Sequence, residues 1–209
     1  MPDSYSSHDV VEGFLCYNLL SGGMAWRFYR DVSALLPWRS EPAMVTHGGV
    51  APGYLQQAPP RLLAALQSAC HELEGRYQGD LYAQVVALQR GEGGGAVWRW
   101  RLKTVTDELF RDGMNWGRVV VMMALGGALS REAVRTGETD QVDVIADWLE
   151  ESLDSPRLRR WMGDNGGWDA FVELYESRPA VPFWTPRTVF GLVALGAAFI
   201  TLGVLLTQR

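Results

Sequence analysis

The four residues with the clearest chemical potential are Asn115-Trp116-Gly117-Arg118, at the start of an unbroken apolar run from Val119 to Leu129. An asparagine oxygen accepts hydrogen bonds from the free N–H groups of a helix start, so we predict that Asn115 caps a helix beginning at Trp116. The run is apolar on every side, which predicts a helix buried all round. Arg118, just before this run, suits bidentate binding of a carboxylate from another molecule. The alternative is that Arg118 pairs with a carboxylate inside the protein.

Other chemistry has little support in the sequence. Cys16 and Cys70 are the only cysteines, no Cys-x-x-Cys or Cys/His cluster exists, and both residues are expected to be buried thiols in a reducing compartment. Cys70 and His71 are adjacent on a predicted helix, so their side chains diverge and cannot form a nucleophile–base pair. The glycine-rich stretch 91–95 has no following Lys-Ser/Thr and is not a phosphate-binding loop. We therefore expect no enzymatic activity, no cofactor and no metal.

The charge balance restricts the class of partner. The net charge is −5 and the pI about 5.2, which argues against nucleic acid as the main partner. Basic charge is almost entirely arginine, and Lys103 is the only lysine. Conventional ubiquitin attachment to the folded domain therefore has one available side chain.

The elements that must position these residues are helical, since periodicity near 3.6 recurs and no strand pattern of useful length is present. We predict an all-α fold with helices packed around Val119–Leu129. A long loop over 27–60 separates the first predicted helix from the second. The other predicted helices run from Ser7 or Asp9 to Leu20, from Pro59-Pro60 through Leu62–Tyr77, and then over Asp80–Leu88, Val97–Arg111, Val142–Leu153, Pro156–Met162 and Gly167–Tyr175.

The last part of the sequence has a different character. Thr188–Thr207 is about 20 residues without a charge, enough to span roughly 30 Å as a helix. We predict a helical domain over 1–176, a proline-rich tether over 177–187 and a transmembrane anchor over 188–207. The alternative is that 188–207 is a core helix of the helical domain.

With these features in place, the chain resembles the Bcl-2 family of apoptosis regulators. The stretch ELFRDGMNWGRVVVMMALGGAL from Glu108 to Leu129 is similar to the family's first homology motif, and WMGDNGGWDAFVELY from Trp161 to Tyr175 is similar to the second. The third, the death motif, is represented by LLAALQSACHELEGRY from Leu62 to Tyr77, and the fourth by Val10–Leu20. The resemblance implies a Bcl-2-like helical bundle that binds, in an apolar groove, the amphipathic death-motif helix of a pro-apoptotic relative.

The resemblance also implies which residues meet that helix. Arg118 would bind its aspartate, Gly117 would allow close approach, and Asn115 would add a hydrogen bond. The predicted rim consists of Glu108, Arg111 and Asp112. The predicted apolar lining consists of Leu73, Tyr77, Leu81, Val105, Leu109 and Tyr175.

The third motif departs from the family pattern at one informative position. The family has a small residue followed by Asp, and this chain has Cys70 and His71. A histidine cannot accept a bidentate arginine, so this chain is expected to be a poor donor of its own death helix and an acceptor of others. We therefore predict an anti-apoptotic member facing the cytosol from the mitochondrial outer membrane, the endoplasmic reticulum or both. A homo- or heterodimer stays open, as do a pro-apoptotic pore-former and a membrane-anchored scaffold with a vestigial groove.

Overall fold

A buried helix, α4 (Trp116–Thr136), lies at the centre of the fold. The structure is a computed structural model that describes residues 5–24, 60–89 and 95–177, and within these ranges it contains helices and no strands. The other six helices of the described ranges are α1 (Ser7–Ser21), α2 (Pro60–Gln89), α3 (Gly95–Leu109), α5 (Asp140–Leu153), α6 (Pro156–Asp164) and α7 (Gly167–Glu176). The predicted all-α class is confirmed for this part of the chain.

Helix α4 begins where the sequence predicts. The Asn115 side-chain oxygen accepts a hydrogen bond from the Arg118 backbone N–H at 2.9 Å, and Trp116 is the first helical residue. Every residue from Trp116 to Gly127 is buried, as expected for a run that is apolar all round. Gly137 ends the helix with a φ of 81°, a left-handed conformation that glycine adopts without a steric penalty.

Small residues allow the neighbouring helices to approach α4 closely. A Cβ on Gly126 would lie 2.7 Å from Leu149 Cδ1 of α5, and one on Gly127 would lie 3.0 Å from Asn18 Nδ2 of α1. On the α2 side, the Cys70 thiol donates to the Val120 carbonyl oxygen at 3.7 Å. Three helices thus approach the central helix at a glycine or contact it through a cysteine.

The start of α1 differs from the prediction by one residue. Ser6, rather than Ser7 or Asp9, is the cap, and its hydroxyl accepts from the Asp9 backbone N–H at 3.1 Å. Ser6 has the extended backbone that an N-cap requires, whereas Ser7 and Asp9 are already helical. Asp9 instead accepts a hydrogen bond from the Ser6 hydroxyl at 2.6 Å and places a negative charge in the first turn.

The two predicted helices Leu62–Tyr77 and Asp80–Leu88 form the nearly continuous α2. Tyr77 alone has non-helical angles, with φ −124° and ψ 28°, so the separation is a single-residue break. Helix α3 is also displaced, since it spans Gly95–Leu109 where Val97–Arg111 was predicted. The turn that follows contains Gly113 with a φ of 112°, consistent with the predicted glycine exit.

Aromatic side chains of α6 and α7 pack against Trp116 at the start of α4. The Trp116 ring lies 5.1 Å from Trp161 of α6 and 5.3 Å from Phe171 of α7, centroid to centroid. Trp168 contacts both Trp116 and Phe171, at 5.6 and 5.9 Å. Such ring pairs add to the free energy gained from burial alone. The three tryptophans are packing residues of this corner, next to Gly117 and Arg118.

Several predictions fall outside the described residues. The predicted loop over 27–60 is one of them, except for Pro60, which begins α2. The predicted tether, apart from Ser177, and the predicted span over 188–207 are the others. Across residues 5–24, 60–89 and 95–177, no helix combines the length and the apolar character needed to cross a bilayer. Both cysteines are buried free thiols, as predicted, and burial raises the pKa of each.

Candidate functional site

Arg118 is a buried cation that the described part of the chain does not neutralise. Its side chain sits on the first turn of α4, and the residue is 7% exposed. One terminal nitrogen, Nη1, donates to the Gly113 carbonyl oxygen at 2.5 Å, and the buried Nε has no hydrogen-bond partner among the described residues. Within residues 5–24, 60–89 and 95–177 no carboxylate lies within ion-pair distance of Arg118. The guanidinium therefore keeps unused donors, and the internal ion pair considered above is not formed by these residues.

The turn between α3 and α4 holds Arg118 in place from two directions. Asn115 caps its backbone N–H, and the Gly113 carbonyl accepts from its side chain. Gly113 adopts a positive φ that aims its carbonyl back toward α4, a conformation that other residues adopt at a cost. The Asn115 oxygen accepts the capping hydrogen bond, and its NH₂ group can donate to a ligand. Gly117 is buried beside them.

The three predicted rim residues pair with one another. Arg111 Nη1 lies 2.8 Å from Glu108 Oε2, and Arg111 Nε lies 3.5 Å from Asp112 Oδ1. The Arg111 side chain is 59% exposed and that of Asp112 is 71% exposed, so this pair contributes little free energy, while Glu108 is more covered at 27%. A charged ligand can exchange them at small cost.

The apolar residues predicted to line a groove lie in the core of this structure or pack against it. Leu73, Val105 and Leu109 are at most 1% exposed and Leu81 is 4% exposed, all within the main core. Tyr77 is half-buried against that core at the break in α2, and Tyr175 stacks on Phe171 at 6.3 Å. The structure thus brings these residues into one apolar body with α4. A ligand helix has to displace a wall to reach most of them.

Two concave surfaces contain residues that the sequence did not single out. One, of about 470 Å³, lies between α2 and the second half of α4 and includes Leu81 from the predicted set. The other, of about 800 Å³, lies between α3 and α5 and includes Arg111. The sequence analysis missed this face of α3. The helical spacing of Arg99, Lys103, Thr106 and Phe110 is a signal that could have found it, although it does not identify the facing helix.

A polar bridge links three helices. Arg131 of α4 donates to Glu74 of α2 at 2.8 Å and to the Asn18 side chain of α1. Nothing in the local pattern of Arg131 distinguishes it from an exposed helix arginine. In the ranges that the structure covers, no three His, Cys, Asp or Glu side chains converge as metal ligands.

Comparison with known proteins gives a consistent family. The profile described as "Apoptosis regulator proteins, Bcl-2 family" matches residues 66–168. This range includes α3 and α4, all of the predicted first motif and part of the third. "Apoptosis regulator Bcl-2" of Gallus gallus is 42% identical over 74% of this chain, an alignment that spans 66% of that relative, slightly under two thirds.

Two further relatives align over most of their length. "Bcl-2-like protein 1" of Homo sapiens is 31% identical over 94% of this chain and 98% of the relative. "Apoptosis regulator R11" of Xenopus laevis is 34% identical, with 89% and 88% covered. The helical fold, the capped central helix and these alignments over nearly the full sequence show that the chain belongs to the Bcl-2 family of apoptosis regulators.

Proposed function

We propose that this chain restrains cell death by binding the amphipathic death-motif helix of pro-apoptotic relatives in a hydrophobic groove, which prevents permeabilisation of the mitochondrial outer membrane. The observation that carries the proposal is the buried Arg118, whose Nε has no partner in the described residues. A buried cation without a counter-ion is costly, so the site favours an incoming anion. The aspartate expected on a death-motif helix has the required chemistry.

The geometry of Arg118 supports a directional bond. Nη1 donates to the Gly113 carbonyl, while no described residue accepts from Nε, so a carboxylate can add hydrogen bonds without breaking the existing one. Hydrogen bonds to charged groups contribute about 1.5–3 kcal/mol each to stability or binding. Gly117 beside it offers no side chain that would hold the ligand backbone away.

Access to the apolar lining requires the groove to open. Leu73 and Leu81 of α2 stand on either side of the non-helical Tyr77, which is a natural hinge between the two halves of that helix. Movement of the second half, or of α3, would uncover Val105 and Leu109. Because only the open molecules bind, the apparent affinity equals the intrinsic affinity multiplied by the open fraction, so ligands must recover this cost from burial of their own apolar anchors.

His71 favours the restraining role over a pore-forming one. It is exposed on α2, while the preceding Cys70 packs inward against the Val120 carbonyl. A pro-apoptotic member would present this helix to another molecule's arginine, and an imidazole cannot form the bidentate pair that an aspartate forms. The chain is therefore better suited to accept a death-motif helix than to donate one.

The test is calorimetric titration of the protein with a panel of death-motif peptides. Arg118→Ala should weaken binding by about 1–3 kcal/mol, because one charge-assisted contact is lost. Arg160→Ala, which removes an exposed arginine of α6, is the matched control and should leave the affinity unchanged. Absence of binding by the wild type at micromolar peptide, or equal losses in the two variants, would overturn the proposal and favour a scaffold with a vestigial groove.

We also propose that residues 188–207 anchor the chain, with its helical domain in the cytosol, to the mitochondrial outer membrane, the endoplasmic reticulum or both. The support is the length of this uncharged segment, which matches the apolar thickness of a bilayer. Deleting 188–207 should move a fluorescent fusion from membranes to the cytosol. Retention on membranes after the deletion would contradict this part of the proposal.

A further inference from the structure

The Arg131 bridge, formed by Arg131 with Glu74 and Asn18, uses one guanidinium to hold two other helices against α4. Nη2 donates to Glu74 Oε1 of α2 at 2.8 Å, and Nη1 donates to Asn18 Oδ1 of α1 at 2.5 Å. The planar fork of an arginine fixes the directions of both hydrogen bonds, whereas the ammonium of a lysine is a point charge. Arg131 therefore joins α1, α2 and α4 at a single place.

The ion pair of this bridge is partly shielded from water. The side chains of Arg131 and Glu74 are 29% and 24% exposed, whereas that of Arg135, one turn later on α4, is 69% exposed. Solvent and salt screen a covered pair less than an exposed one, so the Arg131 pair holds its partners more firmly. Asn18 is also confined, because a Cβ on Gly127 of α4 would lie 3.0 Å from its Nδ2.

The bridge acts on the first half of α2, Pro60–Arg76, which contains most of the segment that resembles the death motif. Glu74 lies three residues before the non-helical Tyr77. The same half contacts the backbone of α4 through the Cys70 thiol, and its Leu63 side chain packs at a glycine of α1. The first half of α2 is thus held by both α1 and α4.

The second half of α2, Gln78–Gln89, is fastened to a different helix. Arg101 of α3 donates from Nη1 to the Leu88 carbonyl oxygen at 3.1 Å. Asp80 is the only charged residue of this half, and it is exposed and forms no ion pair within the ranges that the structure describes. The two halves of α2 are therefore held by different neighbours on the two sides of Tyr77.

We propose that Arg131 is a positioning residue of the groove, which fixes the first half of α2 to α1 and α4 so that the groove opens by movement of the second half about Tyr77. The inference rests on the proposed function, since the first half of α2 is then the stationary wall of the groove. A stationary wall is preorganised, so a ligand helix does not have to order it on binding. Arg131 also retains the chain's own death-motif segment in the core, which suits an acceptor better than a donor.

Cys70 is a native reporter of the first half of α2, and Cys16 of α1 is its internal reference. Both are buried free thiols, so labelling under native conditions requires the segment around each thiol to open. The full chain in mild non-ionic detergent, without peptide, is treated with iodoacetamide. Mass spectrometry of the fragments gives the labelling rate at each cysteine.

Arg131→Met should speed the labelling of Cys70 about tenfold, because loss of a charge-assisted contact favours release of the first half of α2. The rate at Cys16 should change less than about twofold, whereas general destabilisation of the fold would speed both cysteines equally. Arg135→Met is the matched control, because Arg135 pairs with Glu132 of its own helix. That variant should leave both rates unchanged.

Two further variants separate release of α2 from a change in thiol reactivity. Burial raises the pKa of the Cys70 thiol, the charge of Glu74 raises it further, and Arg131 lowers it. Loss of Arg131 thus makes the thiol less reactive and Glu74→Gln makes it more reactive, so acceleration by both variants reports exposure. Arg131→Glu combined with Glu74→Arg rebuilds the ion pair and should return the Cys70 rate to within about threefold of the wild type.

Val85→Cys places a thiol at a buried position of the second half of α2. Its labelling should be faster than that of Cys70, and Arg131→Met should change it less than about twofold, because the bridge does not hold this half. Equal acceleration of Cys70 and Cys16, no acceleration of Cys70, or equal acceleration of Cys70 and the thiol at position 85 would overturn the proposal. Selective acceleration of Cys70 in a chain that binds no death-motif peptide would support the fixing of α2 by Arg131 and overturn the proposed function alone.

Discussion

His8 joins α1 to α5 through carboxylates on both helices. Its Nδ1 lies 2.9 Å from Glu150 Oε1 and its Nε2 lies 3.2 Å from Glu12 Oε1. Partial burial alone would lower the His8 pKa, but the hydrogen bond to Glu150 and the nearby charges of Glu12, Glu150 and Asp9 outweigh it and raise the pKa above 6.5. A raised folded-state pKa means that protonation stabilises the fold below the unfolded-state value, and that this contribution is lost as the pH rises through the folded-state value.

His8→Gln should therefore remove one component of the pH dependence of stability. Below pH 6.5 the wild type should have a larger free energy of unfolding than His8→Gln, and the difference should shrink as the pH rises through the folded-state pKa. Chemical denaturation at a series of pH values measures this. His71→Gln, at an exposed histidine without an ion pair in the described ranges, is the control. A pH-independent difference for His8→Gln would contradict the expectation.

At the scale of elements, the approach of α5 to α4 depends on Gly126. An added Cβ would lie 2.7, 3.0 and 3.1 Å from three side-chain atoms of Leu149, which is completely buried. Overpacking of this kind costs about 1–3 kcal/mol, whereas replacing a helical glycine by alanine recovers at most about 1 kcal/mol.

Gly126→Ala should thus lower the free energy of unfolding by about 1–2 kcal/mol in urea denaturation. Gly163→Ala in α6 is the matched control, because no atom of the described residues lies within 4 Å of its Cβ position, apart from its chain neighbours and the backbone of its own helix. That variant should stabilise the protein by up to about 1 kcal/mol through helix propensity alone. The same sign for both substitutions would show that the close contact with Leu149 does not limit packing.

The α2 segment over 62–77 resembles a death motif that has His71 in place of Asp. As an isolated peptide, the His71→Asp version should bind this chain more tightly than the native version, because a carboxylate can pair with Arg118. Calorimetry with both peptides measures the difference. Ser68→Asp, which adds the same charge elsewhere on the exposed surface of α2, is the control. Equal affinities of the native and His71→Asp peptides would refute the argument that His71 makes the helix a poor donor.

For the whole molecule, Lys103 bears on protein lifetime, because it is the only lysine and its side chain is well exposed. If turnover proceeds through ubiquitin on the folded domain, Lys103→Arg should lengthen the cellular half-life, as followed after translation is stopped. Arg99→Lys offers a control, since it adds an amine one turn away on the same face of α3 and should restore turnover in the Lys103→Arg background. An unchanged half-life for Lys103→Arg would contradict the expectation.

Much of the helical framework follows from the sequence because its causes are local. The cap at Asn115 needs only a side-chain oxygen three residues before the N–H of Arg118, and the central position of α4 follows from an apolar run with no polar face. The boundaries of α3 and the cap of α1 were each displaced by one or two residues, since several neighbouring residues there can begin or end a helix. The family motifs added the expected role of Arg118.

The sequence by itself thus determined which segments are helical, which helix is central and which arginine stands at its start. Only the tertiary structure decided that Arg118 is buried without a carboxylate from the described residues, that Leu73 and Val105 lie in a closed core, and that a cleft lies between α3 and α5. The physical reason is that burial and charge pairing depend on distances between helices. Those distances are set by contacts between residues far apart in the chain, such as Gly126 with Leu149 and Cys70 with Val120, which no local pattern encodes.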